Sequence, residues 1–136
     1  MTIKEAREEL RSYQQKLKIR KNRSQKVEEL RGLLGNCKVS KYGTGGAAGR
    51  NPYRLEELID KIIKAENQYI ETVSESVEIM AQIENKIERL SGRHYTVLRK
   101  KYIEGKSYEL IAVEEHYVYE YVRQLENQGV ALYAKV

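Results

Sequence analysis

The sequence predicts an all-α fold: a long, coiled-coil-like antiparallel helical hairpin followed by a three-helix helix-turn-helix module. Three observations predict it. Apolar residues recur at spacings of 3 and 4 over two long stretches, the periodicity of amphipathic helices. The 136 residues contain a single proline, and five of the nine glycines fall between residues 35 and 49, where the periodicity stops. Charged residues make up 33% and hydrophobic residues 40%, a balance that suits elongated helices with much solvated surface.

The first helix is predicted over about 2–34, within a basic segment 1–35. Ile3, Ala6, Leu10, Tyr13 and Leu17 form its apolar stripe, and Val27, Leu30 and Leu34 resume it. The polar run Lys18 to Lys26 interrupts that seam. Residues 36–52 read as a glycine-rich flexible linker, because clustered glycines cannot hold a helix. The run GTGGAAGR lacks the Gly-Lys-Ser/Thr ending and the preceding strand of a phosphate loop.

Asn51-Pro52 supplies an N-cap and a favoured first-turn proline for a second, acidic helix over 53–91. Leu55, Ile59, Ile62, Glu66, Tyr69, Val73, Ser76, Met80, Ile83, Ile87 and Leu90 keep an unbroken 4-3 spacing. Ile63, Ile70 and Val77 add a second line beside it. A stripe that wide exceeds the needs of one partner helix, and dimerisation through the spare part is an expected use. At 1.5 Å rise per residue each helix is roughly 50–60 Å long. Ser91-Gly92 is expected to stop the second helix, with Gly92 in the left-handed conformation.

Residues 92–136 read as three short helices. The first, about 93–104, buries Val97, Leu98 and Tyr102 and stops at Gly105. Ser107 caps the second, about 108–115, with Leu110, Ile111 and Ala112 at its centre. His116-Tyr117 makes the turn. The third, about 118–134, is expected to bury Val118, Val122, Leu125, Gly129 and Leu132. Short helix, tight turn and longer helix make a helix-turn-helix. The outer face of the last helix then carries Tyr119, Glu120, Arg123, Gln124 and Asn127. Arg suits a guanine edge, Gln or Asn an adenine edge, and Glu a cytosine amine. Lys100, Lys101 and Lys106 stand where phosphates would run. The same pattern also fits a three-helix cap with an ordinary solvated face.

Charge does not settle the matter. The net +5 is distributed as +8 over residues 1–50, −4 over 51–91 and +1 over 92–136. The strongest basic run, Lys16 to Lys26, fits either a helix face drawn to the acidic second helix or a phosphate contact.

Residues 97–132, VLRKKYIEGKSYELIAVEEHYVYEYVRQLENQGVAL, resemble region four of bacterial sigma factors. That family reads roughly V-L-x-x-R-Y-x-x-G-x-S-x-E-E-I-A, a turn, then E-R-I-R-Q-I-E-x-x-A-L. The run Glu120 to Glu126 and the start Gly105 to Glu109 carry the match. The layout is also similar to phage late-gene regulators of the ArpU/RinA type. The resemblance implies base-reading roles for Glu120, Arg123 and Gln124. It implies a sequence-specific transcription regulator of phage or prophage origin that binds double-stranded DNA, with RNA polymerase as a further partner. Tyr119 and Tyr121 depart from arginines common in the family, Val118 from a Ser or Thr cap, and His116 from a turn glycine. These departures bear on the target sequence and the affinity.

Two alternatives stay open: a protein-docking module on RNA polymerase or another regulator, and a DNA-packaging subunit of the small-terminase kind. No enzyme, metal or cofactor is expected. His94 and His116 are isolated, and Cys37 has no histidine partner in its segment. A single cysteine and the absence of a signal-like or membrane-spanning run lead to a cytoplasmic expectation.

Overall fold

The computed structural model describes the backbone of residues 1–42 and 54–136, and the side chains of residues 1–35 and 54–136. It is all-α: α1 (Ile3–Tyr42), α2 (Leu55–Ile87), α3 (Gly92–Leu98), α4 (Tyr108–Glu115) and α5 (Tyr119–Ala134). α3 runs on into a π turn at Arg99–Ile103. No strand occurs among the described residues, and no described helix is long and apolar enough to cross a membrane.

α1 continues to Tyr42, past the break expected near residue 35. Single glycines at 32 and 35 each cost only about 1 kcal/mol in a helix interior, and neither faces a neighbouring atom within 4 Å. The expected cap at Asn51-Pro52 and most of the predicted linker lie outside the described residues.

The chain forms two compact units, one from Met1–Leu17 with Glu75–Val136, the other from Lys18–Ser74. In the 18–74 unit, α1 and α2 lie antiparallel. Leu30, Leu58, Ile62 and Ala65 are buried together, with Val27, Leu33 and Leu34 against them. The Arg23 guanidinium donates to the Gln68 carbonyl (2.9 Å) and to the Thr72 hydroxyl. Arg31 pairs with Glu66, which gives that polar position of the seam a partner.

The expected α2 line is buried at Ile62, Ser76, Ile83 and Ile87 but is shifted elsewhere. Leu58, Ala65 and Thr72 are buried, whereas Leu55 and Ile59 are exposed. The apolar stripe is wider than the face one helix covers, so spacing alone did not say which edge α1 would take. Ile63 (52% exposed) and Ile70 (65%) stay on the surface, as the second line predicts.

The other unit has two cores. Ala6, Leu10, Ile83, Ile87, Leu98, Tyr102, Val130 and Tyr133 form the larger. Val97, Ile111, Val122 and Leu125 form the smaller, beneath α4. Lys16 pairs with Glu75, Lys86 with Glu9, and Arg99 with Glu84. The module over 92–136 thus shares its core with the first turns of α1 and the last turns of α2.

Several local expectations are corrected here. α2 ends at Ile87, and the turn is closed by backbone bonds from Arg89 N–H to the Lys86 carbonyl and from Leu90 N–H to the Ile87 carbonyl. Gly92 is the first residue of α3, and its φ is not positive. Ile3 and Leu110 are exposed. On α5, Val118 (68% exposed) and Leu132 are outside, while Glu126, Val130 and Tyr133 are inside with Val122, Leu125 and Gly129. A helix packed on two sides buries a stripe broader than one 4-3 line. α5 meets the smaller core through Val122 and Leu125 and the larger through Val130 and Tyr133.

Candidate nucleic-acid interface

The helix-turn-helix is built by local chemistry that the sequence announces. Gly105, at φ +70°, turns the chain after the π turn. The Gln14 amide donates to the Tyr102 and Ile103 carbonyls (3.1 and 3.0 Å), satisfying acceptors left at that helix end. Ser107 caps α4, its hydroxyl accepting from Leu110 N–H at 3.2 Å. His116 then takes the left-handed conformation (φ 59°, ψ 41°), and Tyr117 N–H returns to the Ala112 carbonyl at 2.9 Å. A left-handed conformation is strained for a residue with a Cβ. Val118 begins α5 with no side-chain cap.

The five sequence-predicted base-reading residues are all exposed, but they are not equivalent. Tyr119, Arg123 and the neighbouring Tyr108 form an aromatic and cationic group. The Tyr108 and Tyr119 rings meet edge to face at 6.0 Å, and the Arg123 guanidinium carbon lies 5.4 Å from the first ring and 6.0 Å from the second. Arg123 is therefore held over rings at the start of α5 and is not adrift in solvent. Glu120 and Gln124 make no side-chain hydrogen bond among the described residues. Asn127 is different: its Oδ1 accepts from Arg7 at 2.5 Å.

The predicted phosphate contacts divide in the same way. Lys100 pairs with Glu114 (3.0 Å) and Glu115 (2.6 Å), and Lys106 with Glu104 (3.0 Å) and Glu114 (2.8 Å). Hydrogen bonds from Lys106 and Lys100 hold the Glu114 carboxyl below its ordinary range. Lys101 sits 4.2 Å from the Tyr108 ring centre. Of the three lysines, two belong to a five-member ion cluster with one carboxylate in excess.

Sequence reasoning missed the group that fixes α5 from behind. Glu126, 1% exposed, accepts from Arg7 Nη1 at 2.7 Å and from the Tyr102 hydroxyl at 2.6 Å. Burial, reinforced by the bond to Glu126, pushes the Tyr102 hydroxyl well above the ordinary tyrosine range. Burial opposes the Arg7 charge, but Glu126 outweighs it and the guanidinium is held more firmly protonated. Arg7 and Glu126 lie 119 residues apart, so no local pattern pairs them. Arg93 likewise donates to the Tyr121 hydroxyl at 2.8 Å, and His94 meets the Gln128 amide at 3.0 Å.

The arrangement leaves Tyr119, Glu120, Arg123 and Gln124 as the open face of α5, with the residues beyond them tied to α1 and α3. No metal-ligand cluster occurs among the described residues, and the Cys37 side chain lies outside them. Comparison with family models, curated proteins and solved structures returned no match.

Proposed function

We propose that this chain is a sequence-specific DNA-binding transcription regulator, cytoplasmic and of the phage late-gene kind, with sigma-like promoter recognition and no enzymatic activity. One observation carries the reading. The first turns of α5 present Glu120, Arg123 and Gln124 outward beside Tyr119, on a helix held by a turn and by a buried ion pair. In a major groove, the start of the second motif helix reaches deepest. Arg123 reads guanine, Gln124 adenine, and Glu120 accepts from a cytosine amine. Lys101 lies beside this face. Lys100 and Lys106 reach a phosphate only by exchanging their carboxylate partners.

The regulator works as a homodimer. Ile59, Ile63 and Ile70 are exposed on α2 at spacings of 4 and 7, the repeat of a coiled-coil seam with β-branched residues.

Selection from randomised duplex DNA at two salt concentrations tests the proposal. The expected result is an enriched motif whose binding falls with salt and whose selectivity relaxes in Arg123→Ala, at a cost of about 1–3 kcal/mol. Retention without enrichment favours a packaging role of the small-terminase kind.

A second reading has its own support. Leu110, Val113 and Val118 are exposed around the turn, and Lys100 and Lys106 are already neutralised. These features suit a module that docks on a protein, RNA polymerase first among the candidates. A folded chain that retains no duplex and binds polymerase establishes that reading.

A further inference from the structure

Glu120, Arg123 and Gln124 each have a base edge to meet, but Tyr119, the first residue of α5, brings neither a charge nor an amide side chain to that face. It offers an apolar ring and a hydroxyl that forms no hydrogen bond among the described residues. The ring is held firmly for an exposed side chain. Tyr108 is partly buried and packs against the core of Val97, Ile111, Val122 and Leu125. The Tyr119 ring stands edge to face with Tyr108, at 6.0 Å between centres and 82° between planes. The Arg123 guanidinium carbon lies 5.4 Å from the Tyr108 ring centre and 6.0 Å from that of Tyr119. Both exposed side chains are therefore braced on a ring that the core fixes, which lowers the entropic cost of ordering them on a ligand.

Tyr119 and Arg123 are four residues apart, neighbours on one helix face. Arg123 suits the two major-groove acceptors of guanine. Successive bases of one strand stand about 3.4 Å apart, so a ring centred 6.0 Å from the guanidinium carbon covers the base beside that guanine. The apolar group that a base pair exposes in the major groove is the C5 methyl of thymine. A ring that covers the methyl removes apolar surface from water on both sides, and an unmethylated pyrimidine offers less of it.

We infer that Tyr119 reads the C5 methyl group of a pyrimidine beside the guanine bonded by Arg123, so that the start of α5 selects a step of thymine next to guanine. The inference rests on the regulator reading for its ligand, duplex DNA. Tyr119 then has two tasks: its ring helps hold Arg123 in place, and its outer edge distinguishes a methylated pyrimidine from a bare one.

The test uses the full chain and the duplex enriched from the randomised pool. Thymines next to guanines are replaced one at a time by uracil, which pairs identically and lacks only the methyl. At one such position native protein should bind the uracil duplex about 4-fold more weakly, the worth of one buried methyl group. Tyr119→Phe should keep that ratio. Tyr119→Ala should bring it to one with the helical signal retained, because the side chain is exposed. Equal native affinity for thymine and uracil at every such position overturns the inference. So does a ratio that survives in Tyr119→Ala, or an enriched motif with no thymine beside a guanine; in each of these cases the regulator reading stands. Equal weakening by Tyr119→Phe and Tyr119→Ala on both duplexes also overturns it, since the hydroxyl and not the ring would then make the contact. Native protein that enriches no sequence overturns both the inference and the regulator reading.

Discussion

Replacing Arg7 by alanine probes the contact that fixes α5. The substitution removes the one cation bonded to Glu126 among the described residues, leaving a carboxylate that is 1% exposed and otherwise accepts from the Tyr102 hydroxyl. It also frees Asn127. Removing one partner of a buried pair typically costs about 3–5 kcal/mol, because the remaining charge is left uncompensated. The Arg7 side chain keeps 25% of its surface in water, which screens part of that loss, so the expected cost is about 2–4 kcal/mol. Urea unfolding followed by far-ultraviolet dichroism measures it. Glu126→Gln keeps the shape and most hydrogen-bonding capacity while removing the charge. In that background Arg7→Ala should cost about 1 kcal/mol or less, since the penalty came from the stranded charge. A loss under about 1 kcal/mol in the native background would refute the claim that this pair anchors α5. Equal losses in both backgrounds would refute the electrostatic account and leave only packing.

Further expectations follow from the same structure. Tyr102 and Tyr133 hold their protons above the ordinary value of 10.0 because both are buried. Above about pH 10 the unfolded chain releases protons that the native chain keeps, so stability is complete below that pH and falls as pH rises, by about 1.4 kcal/mol per pH unit for each such tyrosine. Denaturant titrations at pH 9 to 11 should show this fall, and Tyr102→Phe should reduce it; an unchanged slope in the variant would exclude Tyr102 as a source. Gly129→Ala sets a methyl 3.1 Å from Leu98 Cγ in the core, and overpacking of about 1–3 kcal/mol there exceeds the helix-propensity gain of about 1. Its melting temperature should therefore drop, and a rise would mean that Leu98 yields. Ile63→Glu/Ile70→Glu should convert the proposed dimer to monomer in sedimentation without loss of helical signal, and an unchanged sedimentation coefficient would remove α2 from the interface.

Much of the architecture was legible in the sequence. The 4-3 repeats gave two long helices, and Gly105, Ser107 and His116 marked the turns where the structure has them. Residues whose signal is local were read correctly: the Ser107 cap, the uncapped Val118, and the buried Val97, Leu98 and Tyr102. Errors came where a face is selected by something distant. Leu58 rather than Ile59 is buried because α1 covers one edge of a stripe with two usable edges. Val130 and Tyr133 are buried, and Leu132 is not, because α5 serves two cores. On the candidate site, periodicity identified the exposed face of α5, but the tie between Arg7 and Asn127 and the ion cluster around Lys100 and Lys106 depend on contacts that no spacing rule encodes. Glu126 lay within the run Glu120 to Glu126, yet nothing local suggested that it would be buried beneath an arginine 119 residues away.

The unit holding the helix-turn-helix is assembled from residues 1–17 and 75–136, and this has a consequence for how it is made. During synthesis Ala6 and Leu10 emerge well before Val130 and Tyr133, which pack with them. The larger core therefore cannot close until α5 has been made, and it must then close across an excursion of residues 18–74. Loop closure over such a span is an entropic cost that a hairpin already formed within the excursion reduces, by bringing its two ends near each other. Folding of the helix-turn-helix is thereby coupled to prior pairing of α1 with α2. A chain cut short before α5 lacks Val130 and Tyr133 and leaves the rest of this core partly uncovered, a surface that chaperones and proteases recognise.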